Sequence, residues 1–192
     1  MRRLTLVLLA ALAAPALAEP TWQIDPAHSS IQFGVRHLMI STVKGKFPKF
    51  TATVVGDEKD PAHARVEASI DAASIDTGEP KRDSHLKSAD FFDVEKYPTI
   101  TFKSTKVEAV GDRRFKLHGD LTMHGVTKPV VLDVEATPEV KGMQGETRAG
   151  ARATTKVNRK DFGINWSKSM DGGGVVVGDD VDVTIEVEGV KK

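Results

Sequence analysis

The chain has 192 residues, six histidines, no cysteine, and 27 basic side chains against 27 acidic ones. That length supplies one domain with a sizeable core, or at most two small ones. The absence of cysteine excludes disulfides, cysteine-ligated zinc, iron–sulfur clusters and thiol nucleophiles, and the balanced charge argues against a nucleic-acid partner.

The first 18 residues read as a secretory signal. Arg2 and Arg3 give a positive start, Leu4 to Leu12 a short apolar run, and Ala16-Leu17-Ala18 a small-residue cleavage site. An apolar run this short does not span a bilayer. The mature chain is expected to begin near Glu19 and to form a single domain over residues 19–192, with slightly more acid than base once Arg2 and Arg3 are gone. An exported chain without disulfides suits a bacterial periplasm.

From Trp22 onward the pattern has period two. Ile31, Phe33 and Val35 share one face of a strand, Lys44-Gly45-Lys46 reads as a bend, and Phe50, Ala52 and Val54 form the next inward set. Val66, Ala68 and Ile70 follow a polar turn. Pro80 then suits the first turn of a short helix continuing to Ala89, in which Leu86 is the one large apolar side chain. Phe91 and Phe92 come next, and in extended chain only one of them would point inward. Pro98 forces Tyr97 to be extended, and Ile100 and Phe102 begin another strand. Val110-Gly111-Asp112 reads as a hairpin, and Phe115, Leu117, Gly119, Leu121 and Met123 share a face. His124 to Pro129 turns the chain. Val130, Leu132, Val134 and Ala136 then face inward, as do Ala149, Ala151, Ala153 and Val157. A glycine-rich loop, Asp171 to Gly174, precedes the closing set Val181, Val183, Ile185 and Val187.

These segments amount to about eight strands joined mostly by hairpins, hence an antiparallel sheet, with one short helix between the third and fourth. Such a sheet buries its apolar face by closing into a barrel or folding into a sandwich; the barrel is preferred because closure also removes exposed edges. Its interior has two readings. Small inward residues (Ala52, Ala68, Gly119, Ala149, Ala151, Ala153) leave space, or they pack beneath Trp22, Phe33, Phe102, Phe162 or Trp166 as a large–small jigsaw. If there is space, the ligand is apolar, held by about 0.8 kcal/mol per buried methylene.

The polar groups suggest little chemistry. Arg82 and His85 share a helix face with Asp83 beside them, placing a head-group contact at the pore mouth against a purely structural tie to neighbouring strands. His118 and His124 lie about 20 Å apart in an extended strand, and the other histidines fall in separate elements, so no metal site is expected. Asp90 and Asp93 read as turn residues, and no nucleophile–base pair indicates a reaction. On this reading the segment from Arg82 to Phe102 caps the barrel and controls access to it.

The motifs resemble the YceI-like family. They are Trp22-Gln23-Ile24-Asp25 with His28-Ser29 and Ile31-Gln32-Phe33; Gly45-Lys46-Phe47; Arg82-Asp83-Ser84-His85-Leu86; Ser88 to Val94; Tyr97 to Phe102; Gly119 to Val130; Arg159-Lys160-Asp161-Phe162-Gly163; and Val177 to Val181. The resemblance implies a lipocalin-like antiparallel barrel, which with the strand count and the helix makes the expected fold an all-β, eight-stranded barrel capped by the helix. It further implies a periplasmic location, a tendency to form a homodimer, and a long hydrophobic pore holding a polyisoprenoid, an isoprenoid quinone or another long amphiphile; no cofactor and no catalytic residues are expected. The expected lining is Phe33, Val35, Phe50, Ala68, Ile70, Leu86, Phe91, Phe92, Ile100, Phe102, Leu117, Leu121, Met123, Leu132, Ala151, Ala153, Phe162 and Trp166, with Arg82, Asp83 and His85 as head-group or lid residues. The alternative role is accessory to a membrane cytochrome through a bound quinone. A hydrolase of small amphiphiles and a packed structural barrel are the further rivals.

Overall fold

The computed structural model describes residues 19–57, 60–169 and 174–192. The expected signal segment and most of the Asp171 to Gly174 loop therefore lie outside the described residues.

Two proline-containing interruptions shape the start of the chain. Strand β1 (Thr21–Ile24) stops where Asp25 caps a 3-10 turn, Pro26–His28, by accepting from Ala27 N at 3.0 Å. Pro26 has no N–H to offer the ladder. The chain resumes as β2 (Ser30–His37), turns, and returns as β3 (Ser41–Lys46). Phe47, Pro48 and Lys49 break it again before β4 (Phe50–Val55). The remaining strands are β5 (Arg65–Asp71), β6 (Thr99–Gly111), β7 (Arg114–Met123), β8 (Val126–Ala136), the two-residue β9 (Val140–Lys141), β10 (Thr147–Asn158) and β11 (Val177–Lys191). Helix α1 (Pro80–Lys87) sits between β5 and β6.

All pairings are antiparallel, and the sheet closes because β11 pairs with β10 on one side and with β1 and β2 on the other. The two short strands lie end to end along β11: Ile24 faces Gly189, and after the 3-10 turn Ser30 faces Glu186. β3 and β4 are likewise end to end, β3 on β2 and β4 on β1. The barrel therefore has eight walls, two of them broken, with β9 continuing the line of β8 along β10.

The register carries the period-two pattern around the ring. Ala52 opposes Ala68, Ile70 opposes Ile100, Phe102 opposes Leu121, Leu117 opposes Leu132, and Ala153 opposes both Val134 and Ile185. A one-residue slip would turn each set outward. Pro129 is tolerated inside β8 because that stretch pairs only with β7; β10 joins β8 from Asp133 onward.

Several turns depart from expectation. Gly45 lies within β3 rather than at a bend, and a Cβ there would sit 2.4 Å from the Phe33 ring, so glycine is required by a close approach. The turn after β7 is only His124-Gly125, with φ of 52° and 74°, and β8 has begun by Val126. Helix α1 ends at Lys87 rather than Ala89, where the Ser88 N–H and hydroxyl turn back to the His85 carbonyl.

The ends of the barrel differ. At the lid end a cluster of Ile24, Ile31, Phe47, Phe50, Ala72, Ile75 and Ile100 is buried, with Leu86, Phe92 and Met123 packed on it. At the mouth end, hairpin residues Gly111, Asp112 and Arg113 and the residue after β8, Thr137, are exposed.

Candidate functional site

The barrel encloses a cavity of about 720 Å³ that extends from Leu86, Phe91, Phe92 and Ile164 at the lid end to Asp112, Thr137 and Glu139 at the mouth. Its wall records the hollowness directly. Ala52, Ala68, Phe102, Leu121, Val134, Ala151, Val183 and Ile185 point into the barrel yet are only half-buried. Close packing would have shut such residues off from solvent.

Of the expected lining residues, Phe33, Val35, Phe50, Ala68, Ile70, Leu86, Phe91, Phe92, Ile100, Phe102, Leu117, Leu121, Met123, Leu132, Ala151 and Ala153 are placed on the cavity wall. Phe162 and Trp166 are not. Phe162 is 1% exposed within a 3-10 turn, Arg159–Phe162, where His124 Nδ1 donates to its carbonyl at 3.0 Å. Trp166 packs against lid residues instead, its ring centroid 5.3 Å from that of Phe91 and 5.2 Å, edge-on, from that of His85.

Phe91 and Phe92 both line the cavity, because residues 89–92 form turns rather than extended chain. Phe91 packs beneath His85 and Trp166, and Phe92 meets Phe47 edge-on at 5.7 Å.

Both readings of the small residues hold, at different positions. Gly119 is filled: a Cβ would lie 2.4 Å from the Phe102 ring. Ala52, Ala68, Ala149, Ala151 and Ala153 border open space instead.

Arg82, Asp83 and His85, expected as head-group or lid residues, do not line the cavity. Asp83 Oδ1 accepts from Thr77 N at 2.9 Å and from Thr77 Oγ1 at 2.6 Å. Arg82 donates to Thr77 Oγ1 and to its carbonyl at 2.7 and 3.0 Å, and His85 Nε2 lies 2.9 Å from Asp90 Oδ2. The helix begins with Glu79 accepting from Lys81 N and Arg82 N at 3.2 and 2.6 Å. Together these bonds fasten the lid.

Arg159 is the functional-site residue that strand parity alone would have found and the aromatic pattern obscured. It continues the inward series of β10, lines the cavity at the lid end, and is 4% exposed. Its Nε donates to Gly178 O at 2.9 Å, Nη1 to Ile164 O and Trp166 O at 2.7 and 2.8 Å, and Nη2 to Asp179 Oδ1 at 3.0 Å and to Val177 O at 3.4 Å. These bonds occupy its five N–H groups. Burial pushes the guanidinium pKa down, and Asp179 opposes that shift.

Trp22, named as a packing residue but left out of the expected lining, lines the mouth half, donates Nε1–H to Gly56 O at 3.2 Å and lies under Lys191 Nζ at 5.2 Å. Outside the cavity, Asp25, His28 and Glu188 come close enough to share an ion, but Arg148 Nη1 already bonds both carboxylates. The His28 contact is the main reason the Asp25 carboxyl is held below its usual range.

A closed eight-stranded antiparallel barrel with an apolar bore and a fastened lid thus defines the class. The chain belongs to the YceI-like family, whose domain description matches residues 22–189. A UPF0312 protein of Vibrio cholerae is 41% identical over 86% of this chain and 84% of its own. The Campylobacter jejuni YCEI protein is 31% identical, covers 100% of this chain and 99% of its own, and superposes with a TM-score of 0.69. A polyisoprenoid binding domain from Saccharophagus degradans, at 15% identity with a TM-score of 0.65 over 89% of this chain and 98% of its own, shares the fold.

Proposed function

We propose that the protein binds a long-chain isoprenoid lipid in its bore and carries or stores it in the periplasm, with no chemical step. The observation that carries this reading is the half-buried apolar wall around a cavity of about 720 Å³. A volume of that size suits a ligand of several hundred cubic ångströms. Binding by burial alone contributes about 0.8 kcal/mol per methylene before the cost of ordering the chain. The Saccharophagus domain, described as binding polyisoprenoid, supports isoprenoids over other lipids. The periplasmic assignment rests on Arg2, Arg3, the Leu4 to Leu12 run and Ala16-Leu17-Ala18.

The test is to purify the mature protein from a periplasmic extract, extract it with organic solvent and identify the lipid by mass spectrometry. The expected result is about one isoprenoid chain per protein. Recovery of none, with no uptake of long-chain isoprenoids by the emptied protein, sinks the reading. A recovered quinone that cytochrome-containing membranes reoxidise while protein-bound gives the electron-transfer role.

A further inference from the structure

Two exposed apolar side chains stand together at the tip of the β2–β3 hairpin. Met39 is 55% exposed and Ile40 78%, and neither joins a buried cluster. Single exposed apolar residues are ordinary on a protein surface, whereas neighbours on one turn form a patch. The turn is also held in an unfavourable conformation. Ile40 N donates to His37 O at 3.1 Å to close it, and its two central residues, Leu38 and Met39, have φ of 51° and 62°. Asparagine and glycine accept that left-handed geometry readily; leucine and methionine do not. Neighbouring groups enforce it. Arg36 Nη2 donates to Met39 O at 2.7 Å and Nη1 to Thr42 Oγ1 at 3.3 Å, while Leu38 N donates to Val176 O at 2.9 Å. Strain that shows apolar side chains to water gives the fold nothing, and such outliers gather where function is.

Charge selects the partner. From Arg36 to Lys46 the hairpin carries Arg36, His37, Lys44 and Lys46 and no carboxylate. Arg36, Lys44 and Lys46 are exposed, and Lys46 Nζ lies 3.6 Å from Asp76 Oδ2. On the neighbouring strand β11, Asp179, Asp180 and Asp182 are turned away to β10 and the turn after it, bonding Arg159 and Lys160, Asn158, and Lys156 respectively. Met143, fully exposed at the mouth end, sits instead between Glu139 and Glu146. An apolar tip on a basic stem suits an anionic phospholipid surface, where binding grows with the apolar area inserted and with the cations beside it. A stable protein partner needs about 800 Å² from each side, far more than one turn supplies. His37 faces Val177, whose carbonyl accepts from Arg159 Nη2 at 3.4 Å, so the tip projects from the lid end.

We infer that the turn Leu38-Met39-Ile40 dips into the surface of an anionic phospholipid bilayer, so that the lid end of the barrel faces the membrane. This goes beyond the lipid held in the bore, since the phospholipid is the docking surface and not the cargo.

The experiment mixes the mature protein with vesicles free of isoprenoid, made either of phosphatidylethanolamine with phosphatidylglycerol or of phosphatidylcholine alone, and measures co-sedimentation. Binding to the anionic vesicles is expected to be about tenfold tighter than to the neutral ones and to weaken as salt is added. The double change Leu38→Asn with Met39→Gly relieves the turn, so it should raise the urea midpoint yet bind anionic vesicles about tenfold more weakly. Ile40→Ser should weaken binding to a similar extent, and Met143→Ser should bind as wild type does. Undiminished binding by the turn variants overturns the inference, as does equal binding to neutral vesicles. A lower urea midpoint in the double variant does so too, because it gives the turn a packing role. A concentration-dependent dimer that the turn variants abolish, without vesicle binding, makes the tip a contact between copies and also overturns it. Solvent extraction of the same samples reads the lipid in the bore independently, so failure to dock and failure to hold lipid are told apart.

Discussion

Single side chains decide whether the barrel is filled or hollow, and neighbouring small residues do opposite jobs. Gly45 and Gly119 make room for the Phe33 and Phe102 rings, so they are parts of close packing. Ala151 is half-buried against open space, while Ala153, 9% exposed, touches the cluster of Leu117 and Leu132. The two alanines should therefore answer differently to enlargement. Ala151→Leu projects into the bore and is expected to lower lipid stoichiometry while changing stability by less than about 1 kcal/mol. Ala153→Leu also crowds Leu117 and Leu132 and should cost about 1–3 kcal/mol. Solvent-extracted lipid per protein and urea midpoints check both. Full lipid content in Ala151→Leu would mean that position does not border the ligand.

Among the elements, α1 and the segment behind it close one end, and their fastening is concentrated on Thr77. Asp83→Ala removes both acceptor bonds, and losing them should cost about 1–3 kcal/mol. Amide exchange across residues 77–97 should then speed up while β10 and β11 stay protected, since the ladder is untouched. Lipid release measured alongside decides whether this end is a gate: a rate matching wild type means the lid is only a stopper. The eight walls were legible because alternation such as Val66, Ala68, Ile70 survives in every wall. Less legible were the breaks at Pro26 and Pro48, which make two strands out of one wall, and Gly45, whose place in β3 is dictated by a ring on the neighbouring strand. The pairing of Arg82, Asp83 and His85 as head-group or lid residues followed helix periodicity; Thr77, the partner of Arg82 and Asp83, and Asp90, the partner of His85, lie in loops that periodicity does not describe. Phe162 and Trp166 looked inward by hydrophobicity alone. Arg159 was concealed for the converse reason, since its charge masks an inward position in an apolar series.

For the molecule as a whole, stability without disulfides depends on a closed ladder and a few ionic ties. Arg148 gathers Glu146 at 2.7 Å, Asp25 at 3.2 Å, and Glu188, joining β10 and β11 to the 3-10 turn between β1 and β2. The carboxyls of Asp25, chiefly through His28, and of Glu146, chiefly through Arg148, are held below their ordinary values of 3.8 and 4.5. A depressed carboxyl adds stability that is complete above its ordinary value and lost as pH falls through the depressed one. The urea midpoint should therefore fall as pH drops below those ordinary values, and fall less in Arg148→Met, whose carboxyls have lost that cation. Parallel curves for the two proteins would assign the acid sensitivity to other groups.

The closure of the sheet has a topological corollary. Lys192 N donates to Thr21 O at 2.8 Å, and Gly56 N to Pro20 O at 2.9 Å, so both ends of the described chain lie side by side next to the cavity-lining residues Trp22 and Gly56. A linker or fusion partner spliced to either terminus would therefore start beside this end of the barrel. Joining the termini and reopening the chain at the His124-Gly125 turn would move the chain ends to the far end of the barrel, with every strand kept whole.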